Sequence, residues 1–170
     1  MKVIKEVIPY IVIVVVVVLI RTFIITPVRV DGDSMKNTLK NGDILLLYKL
    51  SSIDRFDIIV LDEEKDNEKI IKRVIGLPGE TVAIKKGKIY INDKEIDDEY
   101  AYGETSDYNK VTLRDDEYFI LGDNRLISKD SRYFGPIKDN EIKGKIVFRL
   151  FPFTKIGIAQ VDIILSDVSS

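Results

Sequence analysis

Lys69-Ile70-Ile71-Lys72-Arg73-Val74-Ile75-Gly76-Leu77-Pro78-Gly79 sets two adjacent cations inside an apolar run and then stops it with Gly-Leu-Pro-Gly. A charged stretch before it and turn formers after it predict a strand from Lys69 to Ile75. Successive side chains of a strand point to opposite faces. One of Lys72 and Arg73 is therefore expected against an apolar surface, unless the segment is an edge strand with both heads in water. An amine in apolar surroundings is chemically unusual, because burial favours its neutral form.

Similar runs lie on both sides. Ile44–Tyr48 and Phe56–Leu61 come before it, bounded by Asn41-Gly42 and by the charged stretch Asp62–Lys69. A calcium loop would want a Gly among its regularly spaced oxygens, and this stretch has none, so a solvated turn is expected there. Thr81–Ile84 and Lys88–Asn92 flank Lys85-Lys86-Gly87, a hairpin signal. Asp93–Asp116 is polar, Tyr-rich and without period, and reads as a surface excursion. Tyr118–Leu121 and Ile142–Phe151 complete the set, the last closed by Pro152. Six or more strands with little helical periodicity predict a mainly β fold, an all-β sheet or barrel over residues 26–170.

The N-terminus differs. Residues 1–6 are a short polar tail, and residues 7–25 are apolar except for Arg21 and Thr22. Nineteen residues at 1.5 Å each span about 28 Å, close to a bilayer core, and only a helix satisfies the backbone of a single span. A removable secretory signal would carry a shorter apolar core and a small-x-small site after it. The run instead continues into Phe23-Ile24-Ile25-Thr26-Pro27. The expectation is a retained single-pass anchor in the cell membrane, with the bilayer as a partner. The tail would then be cytoplasmic and residues 26–170 extracytoplasmic.

Composition excludes whole classes of chemistry. There is no Cys and no His, so disulfides, thiol catalysis, His-ligated zinc and a Ser-His-Asp triad are all ruled out. Any serine nucleophile needs another base. Lys plus Arg number 26 against 28 Asp plus Glu, dispersed along the chain, which gives no basic face for nucleic acid.

Two further segments stand apart from ordinary core and loop. In Gly32-Asp33-Ser34-Met35-Lys36-Asn37-Thr38-Leu39 the serine lies nine residues after Ile25. That is at most about 30 Å of extended chain, so Ser34 is expected near a membrane surface. By itself a serine after Gly-Asp is ordinarily a turn or cap residue. Gly122-Asp123-Asn124-Arg125-Leu126-Ile127-Ser128-Lys129-Asp130-Ser131-Arg132-Tyr133-Phe134-Gly135 packs turn formers and fixed charges directly after a strand. Such a loop either holds itself together by side-chain to backbone bonds or provides rigid support beside a site.

Taken in order, these segments resemble the type I signal peptidases, the Ser/Lys membrane proteases. The matching pieces are Gly32–Leu39, Gly42-Asp43-Ile44, Lys72-Arg73-Val74-Ile75-Gly76-Leu77-Pro78-Gly79-Glu80 and Gly122–Gly135. The single anchor and Gly32 look more like the Gram-positive members. The resemblance implies Ser34 as nucleophile and Lys72 as general base. It further implies Ser128 as the serine that hydrogen-bonds that lysine, and Asp130 and Arg132 as a supporting charged pair. Asp123 and Arg73 fall on positions that shape the site. Some members place a serine two residues before the nucleophile to assist the oxyanion; here Gly32 stands there, leaving the backbone N–H of Ser34. Asn37 replaces a motif proline, and Arg55-Phe56-Asp57 replaces Arg-Gly-Asp.

The implied function is an endopeptidase that removes signal peptides from exported pre-proteins after small-x-small sites. It needs no metal or other cofactor, and the secretion translocon is a further expected partner. A free lysine, pKa about 10.4, is neutral in only about one molecule per thousand at neutral pH, so the base must be desolvated. A rival from another class is a tethered β-domain that binds peptides without cutting them. A self-cleaving Ser/Lys repressor would want a DNA-binding domain where this sequence has only the apolar segment.

Overall fold

The computed structural model describes residues 2–62 and 69–159. An α-helix, α1, runs Lys2–Phe23, and its segment Glu6–Phe23 is long and apolar enough to cross a membrane. Its side chains from Glu6 to Phe23 are exposed. The helix takes in most of the expected polar tail and stops two residues short of Ile25. Its end is fixed by partners that hydropathy cannot see. Thr26 Oγ1 donates to the Arg21 carbonyl at 2.9 Å, and Lys49 Nζ donates to that of Thr22 at 2.7 Å. These bonds occupy carbonyls left open at a helix terminus. Ile25 is instead the first residue of β1 (Ile25–Arg29), paired with Tyr48.

The strands that follow are β2 (Ile44–Tyr48), β3 (Ile58–Asp62), β4 (Lys69–Gly76), β5 (Thr81–Lys85) and β6 (Lys88–Ile91). After them come β7 (Lys94–Ile96), β8 (Tyr108–Thr112) and β9 (Glu117–Leu121). A one-turn helix, α2 (Ser131–Phe134), then precedes β10 (Ile137–Lys138) and β11 (Ile142–Phe151). They form an antiparallel seven-stranded sheet in the order β1-β2-β11-β3-β4-β9-β10 and a four-stranded sheet in the order β7-β6-β5-β8. The mainly β expectation holds. Asp93–Asp116 is less irregular than expected, since it contains β7 and β8. The strand read from Phe56 begins at Ile58; Phe56, at φ 68°, and Asp57 already share backbone hydrogen bonds with Val74 of β4, but outside the regular register. The solvated turn expected at Asp62–Lys69 falls mainly on residues outside those described.

Alternation on β3 explains how the large sheet is covered. Ile58 and Val60 belong to one buried cluster, with Val28, Met35, Leu39, Leu45, Leu47 and Ile146. Ile59 and Leu61 belong to another on the opposite side, with Val74, Ile120 and Ile137. A third cluster fills the small sheet, from Ile75 and Val82 to Phe119 and Leu121. The hairpin between β5 and β6 turns through Lys86 and Gly87, both at positive φ, as a tight right-twisted hairpin requires.

Candidate active site

β4 is an interior strand, hydrogen-bonded to β3 on one side and β9 on the other. The edge-strand arrangement is thereby excluded, and both cations are buried: Lys72 is 3% exposed and Arg73 is not exposed at all. The loop after β1 brings Ser34 to them. Val30 N–H donates to the Asp43 carbonyl and Gly42 N–H to that of Val30, closing the base of the loop at 2.9 and 3.0 Å. Met35 and Leu39, both buried, peg the loop into the core on either side of one helical turn, with Leu39 N–H on the Met35 carbonyl at 2.8 Å. Between the Gly32 turn and the Met35 peg, Ser34 is half-buried. Lys72 Nζ donates to Ser34 Oγ at 2.9 Å, a separation that equally suits the hydroxyl donating to a neutral amine.

The loop between β9 and β10 grips the same serine. Asn124 N–H donates to the Ser34 carbonyl at 2.9 Å, and Asn124 Nδ2 to that of Asp33 at 3.1 Å. Only glycine fits at Gly122, because an added Cβ would lie 2.6 Å from Ser128 Cβ and 2.7 Å from the Ser34 carbonyl oxygen. Ser128 is buried here, but its Oγ makes no hydrogen bond. The expected bond to Lys72 is thus not formed; the side chain packs against Gly122 instead. Asp130 takes a two-pronged contact from Arg132, Nε to Oδ1 at 2.8 Å and Nη2 to Oδ2 at 2.9 Å. It also accepts the Gly122 N–H at 3.0 Å and caps α2. This buried pair shapes the loop without touching Ser34 or Lys72 in any contact described. Such bidentate, charge-assisted contacts fix geometry as well as adding energy.

A second buried pair lies behind Lys72. Arg73 Nε donates to Asp123 Oδ1 at 2.8 Å and Nη2 to Oδ2 at 2.7 Å, with neither side chain exposed. Arg73 Nη1 also reaches the Phe56 carbonyl at 2.8 Å, and its guanidinium lies 3.6 Å from the centre of the Tyr100 ring. Several contributors escaped sequence reasoning. Arg125, buried, bonds the Gly122 carbonyl, Thr105 Oγ1 and Asp98 Oδ2, tying the Asp93–Asp116 stretch to the site loop. Asn124 and Gly122 lay inside the quoted motif, but nothing in the sequence distinguished them from loop formers.

A family model described as "Signal peptidase, peptidase S26" matches residues 3–151. The chain belongs to the signal peptidase I family. Among its relatives, Signal peptidase I of Bacillus caldolyticus is 42% identical over 88% of this chain and 92% of its own length. Signal peptidase I of Streptococcus pneumoniae serotype 4 is 38% identical over 81% of this chain and 87% of its own. A crystal structure of a signal peptidase I from Enterococcus faecalis V583 superimposes with a TM-score of 0.50 at 34% identity, covering 56% of this chain and 97% of that one. Signal peptidase I enzymes are serine endopeptidases that remove signal peptides, and family membership implies exported pre-proteins as substrates. The one helix among the described residues that is long and apolar enough to cross a membrane fits a membrane-anchored protein.

Proposed function

We propose that Ser34 and Lys72 are the catalytic dyad of this signal peptidase. The reading rests on one observation, the 2.9 Å separation of Ser34 Oγ from a buried lysine Nζ in a chain without histidine. Neutral Lys72 takes the Ser34 proton as Oγ bonds to the scissile carbonyl carbon. The resulting ammonium returns that proton to the leaving amine as the C–N bond breaks, which leaves an acyl-enzyme ester. Lys72 then takes a proton from water as the water oxygen bonds to the acyl carbon, and returns it to Ser34 Oγ as the ester C–O bond breaks, which releases the new carboxylic acid and restores both residues. A buried amine suits this role, because removal from water disfavours the ammonium.

The Ser34 N–H is the protein's own donor for the oxyanion; such donors are worth about 3–4 kcal/mol. Arg73 with Asp123, and Asp130 with Arg132, hold the two loops around the dyad. For Ser128 to hold the lysine in line, its Oγ, unbonded here, would have to turn from Gly122 toward Lys72 during turnover. The substrate is cut after a small-x-small site. The helix within residues 7–25 spans the cell membrane with residues 1–6 cytoplasmic, and residues 26–170 work outside beside the translocon.

The test uses the full chain in detergent with an exported pre-protein, alongside Ser34→Ala and Lys72→Ala. Cleavage by wild type and loss of at least a thousandfold in kcat for each variant support the dyad. A folded wild type that binds the pre-protein and leaves it intact would favour a peptide-binding domain. Cutting by Lys72→Ala at the wild-type rate would remove the lysine from the mechanism.

A further inference from the structure

Thr38 is a buried residue on the Ser34 loop whose four polar functions are all engaged. Its N–H donates to the Met35 carbonyl at 3.1 Å, within the turn that carries Ser34. Its hydroxyl donates to Asp123 Oδ2 at 2.5 Å and accepts from Arg73 Nη2 at 3.1 Å. Its carbonyl accepts from Arg149 Nη2 at 2.6 Å. Arg149, itself buried, lies on β11, whereas Arg73 lies on β4, and β3 separates the two strands. One threonine is therefore held by two buried guanidinium groups from two different strands. Arg73 is the next residue after Lys72, and Ser34 lies four residues before Thr38.

The loop that presents the hydroxyl and the strand that presents the amine thus share a buried polar joint. Nothing in the contacts of Thr38 involves Ser34 Oγ or Lys72 Nζ directly. We infer that Thr38 is a positioning residue for this dyad, setting the distance between Ser34 Oγ and Lys72 Nζ through Arg73 and Asp123. The inference rests on the Ser34–Lys72 reading above. Valine keeps the shape of threonine but removes the hydroxyl, leaving Asp123 Oδ2 and Arg73 Nη2 each short of a partner. Serine keeps the hydroxyl and loses a methyl group.

The experiment measures kcat and KM for pre-protein cleavage by the full chain in detergent. Wild type, Thr38→Val, Thr38→Ser, Ser34→Ala and Lys72→Ala are compared, each checked for folding by far-UV circular dichroism. The expected result is a tenfold or larger fall in kcat for folded Thr38→Val, with KM within twofold of wild type. Thr38→Ser should keep at least a fifth of wild-type kcat. A smaller fall for folded Thr38→Val, or a fall accompanied by a larger change in KM, overturns the positioning role. Should Thr38→Val not fold, Thr38→Ser decides: less than a fifth of wild-type kcat refutes a role for the hydroxyl. Persistent cutting by Ser34→Ala or Lys72→Ala would instead overturn the dyad itself.

Discussion

Removing Asp123 should destabilise the protein far more than removing the whole pair to which it belongs. Asp123 accepts three hydrogen bonds, from Arg73 Nε, Arg73 Nη2 and Thr38 Oγ1, with no exposure to water. Asp123→Ala strands a buried guanidinium, and breaking one side of such a pair costs about 3–5 kcal/mol. Arg73 keeps the Phe56 carbonyl at 2.8 Å and the Tyr100 ring at 3.6 Å, which places the expected loss near the lower end, about 3–4 kcal/mol. Against a typical total of about 5–15 kcal/mol, that is a large fraction. The combined variant Arg73→Met with Asp123→Leu removes both charges and should recover at least half of the loss, because apolar pairs often substitute for buried ion pairs without penalty. Urea titration of the full chain in detergent, followed by tyrosine fluorescence, measures Asp123→Ala and the four corners of the cycle formed by wild type, Arg73→Met, Asp123→Leu and their combination. The chain has eight Tyr and no Trp to obscure the signal. A cost below about 1 kcal/mol for Asp123→Ala, or additivity in the double variant, would refute the account of this pair as a closed, desolvated unit.

Two further predictions concern the positions where the chain departs from the family motifs. Phe56 sits at φ 68°, a region costing a side-chain-bearing residue about 1–2 kcal/mol, so Phe56→Gly should be more stable than Phe56→Ala by about 1 kcal/mol in the same titration. Both lose the ring that lies 5.4 Å from Tyr100, so only the backbone separates them, and an Ala variant as stable as the Gly one would contradict the strain. Asn37 has φ 111°, far from the roughly −65° that proline imposes. Asn37→Pro should therefore move the loop three residues from Ser34 and lower kcat at least tenfold; wild-type kcat would show that the loop does not need this conformation.

The strands were legible where one pattern sufficed. Ile44–Tyr48 and Tyr118–Leu121 are apolar runs of strand length, and Lys86-Gly87 satisfies a hairpin turn by itself. β7 and β8 were not legible, because β8 is an edge strand with mostly exposed side chains and no buried alternation to announce it. The end of α1 was read two residues late for a related reason. Hydropathy continues through Ile25, but pairing with Tyr48 and capping by Lys49 are decided by chain far away in sequence. At the site, Lys72 carried a partial signal, a cation in an apolar strand, whereas Ser34 is in itself an ordinary turn serine and stood out only through the resemblance of its segment to the family's motifs. Thr38 and Arg149 carried none, since a hydrogen bond spanning 111 positions leaves no local trace. The reading of Lys72 and Arg73 as alternatives, one facing inward, underestimated the fold: with partners for both, the strand buries the two cations together.

The junction between α1 and β1 has a mechanical consequence. Helix and strand are separated by Ile24 alone, and Lys49 and Thr26 fasten the last carbonyls of the one to the beginnings of the sheet. A domain on a flexible tether samples every height and tilt above the surface that holds it. Here the joint is one residue long and carries two side-chain hydrogen bonds, which leaves little slack between the helix and the sheet. In the proposed orientation, so short a joint would narrow the range of depths at which Ser34 meets a peptide bond. Selection would then begin with where a bond lies relative to the bilayer, before any side chain of the substrate is read.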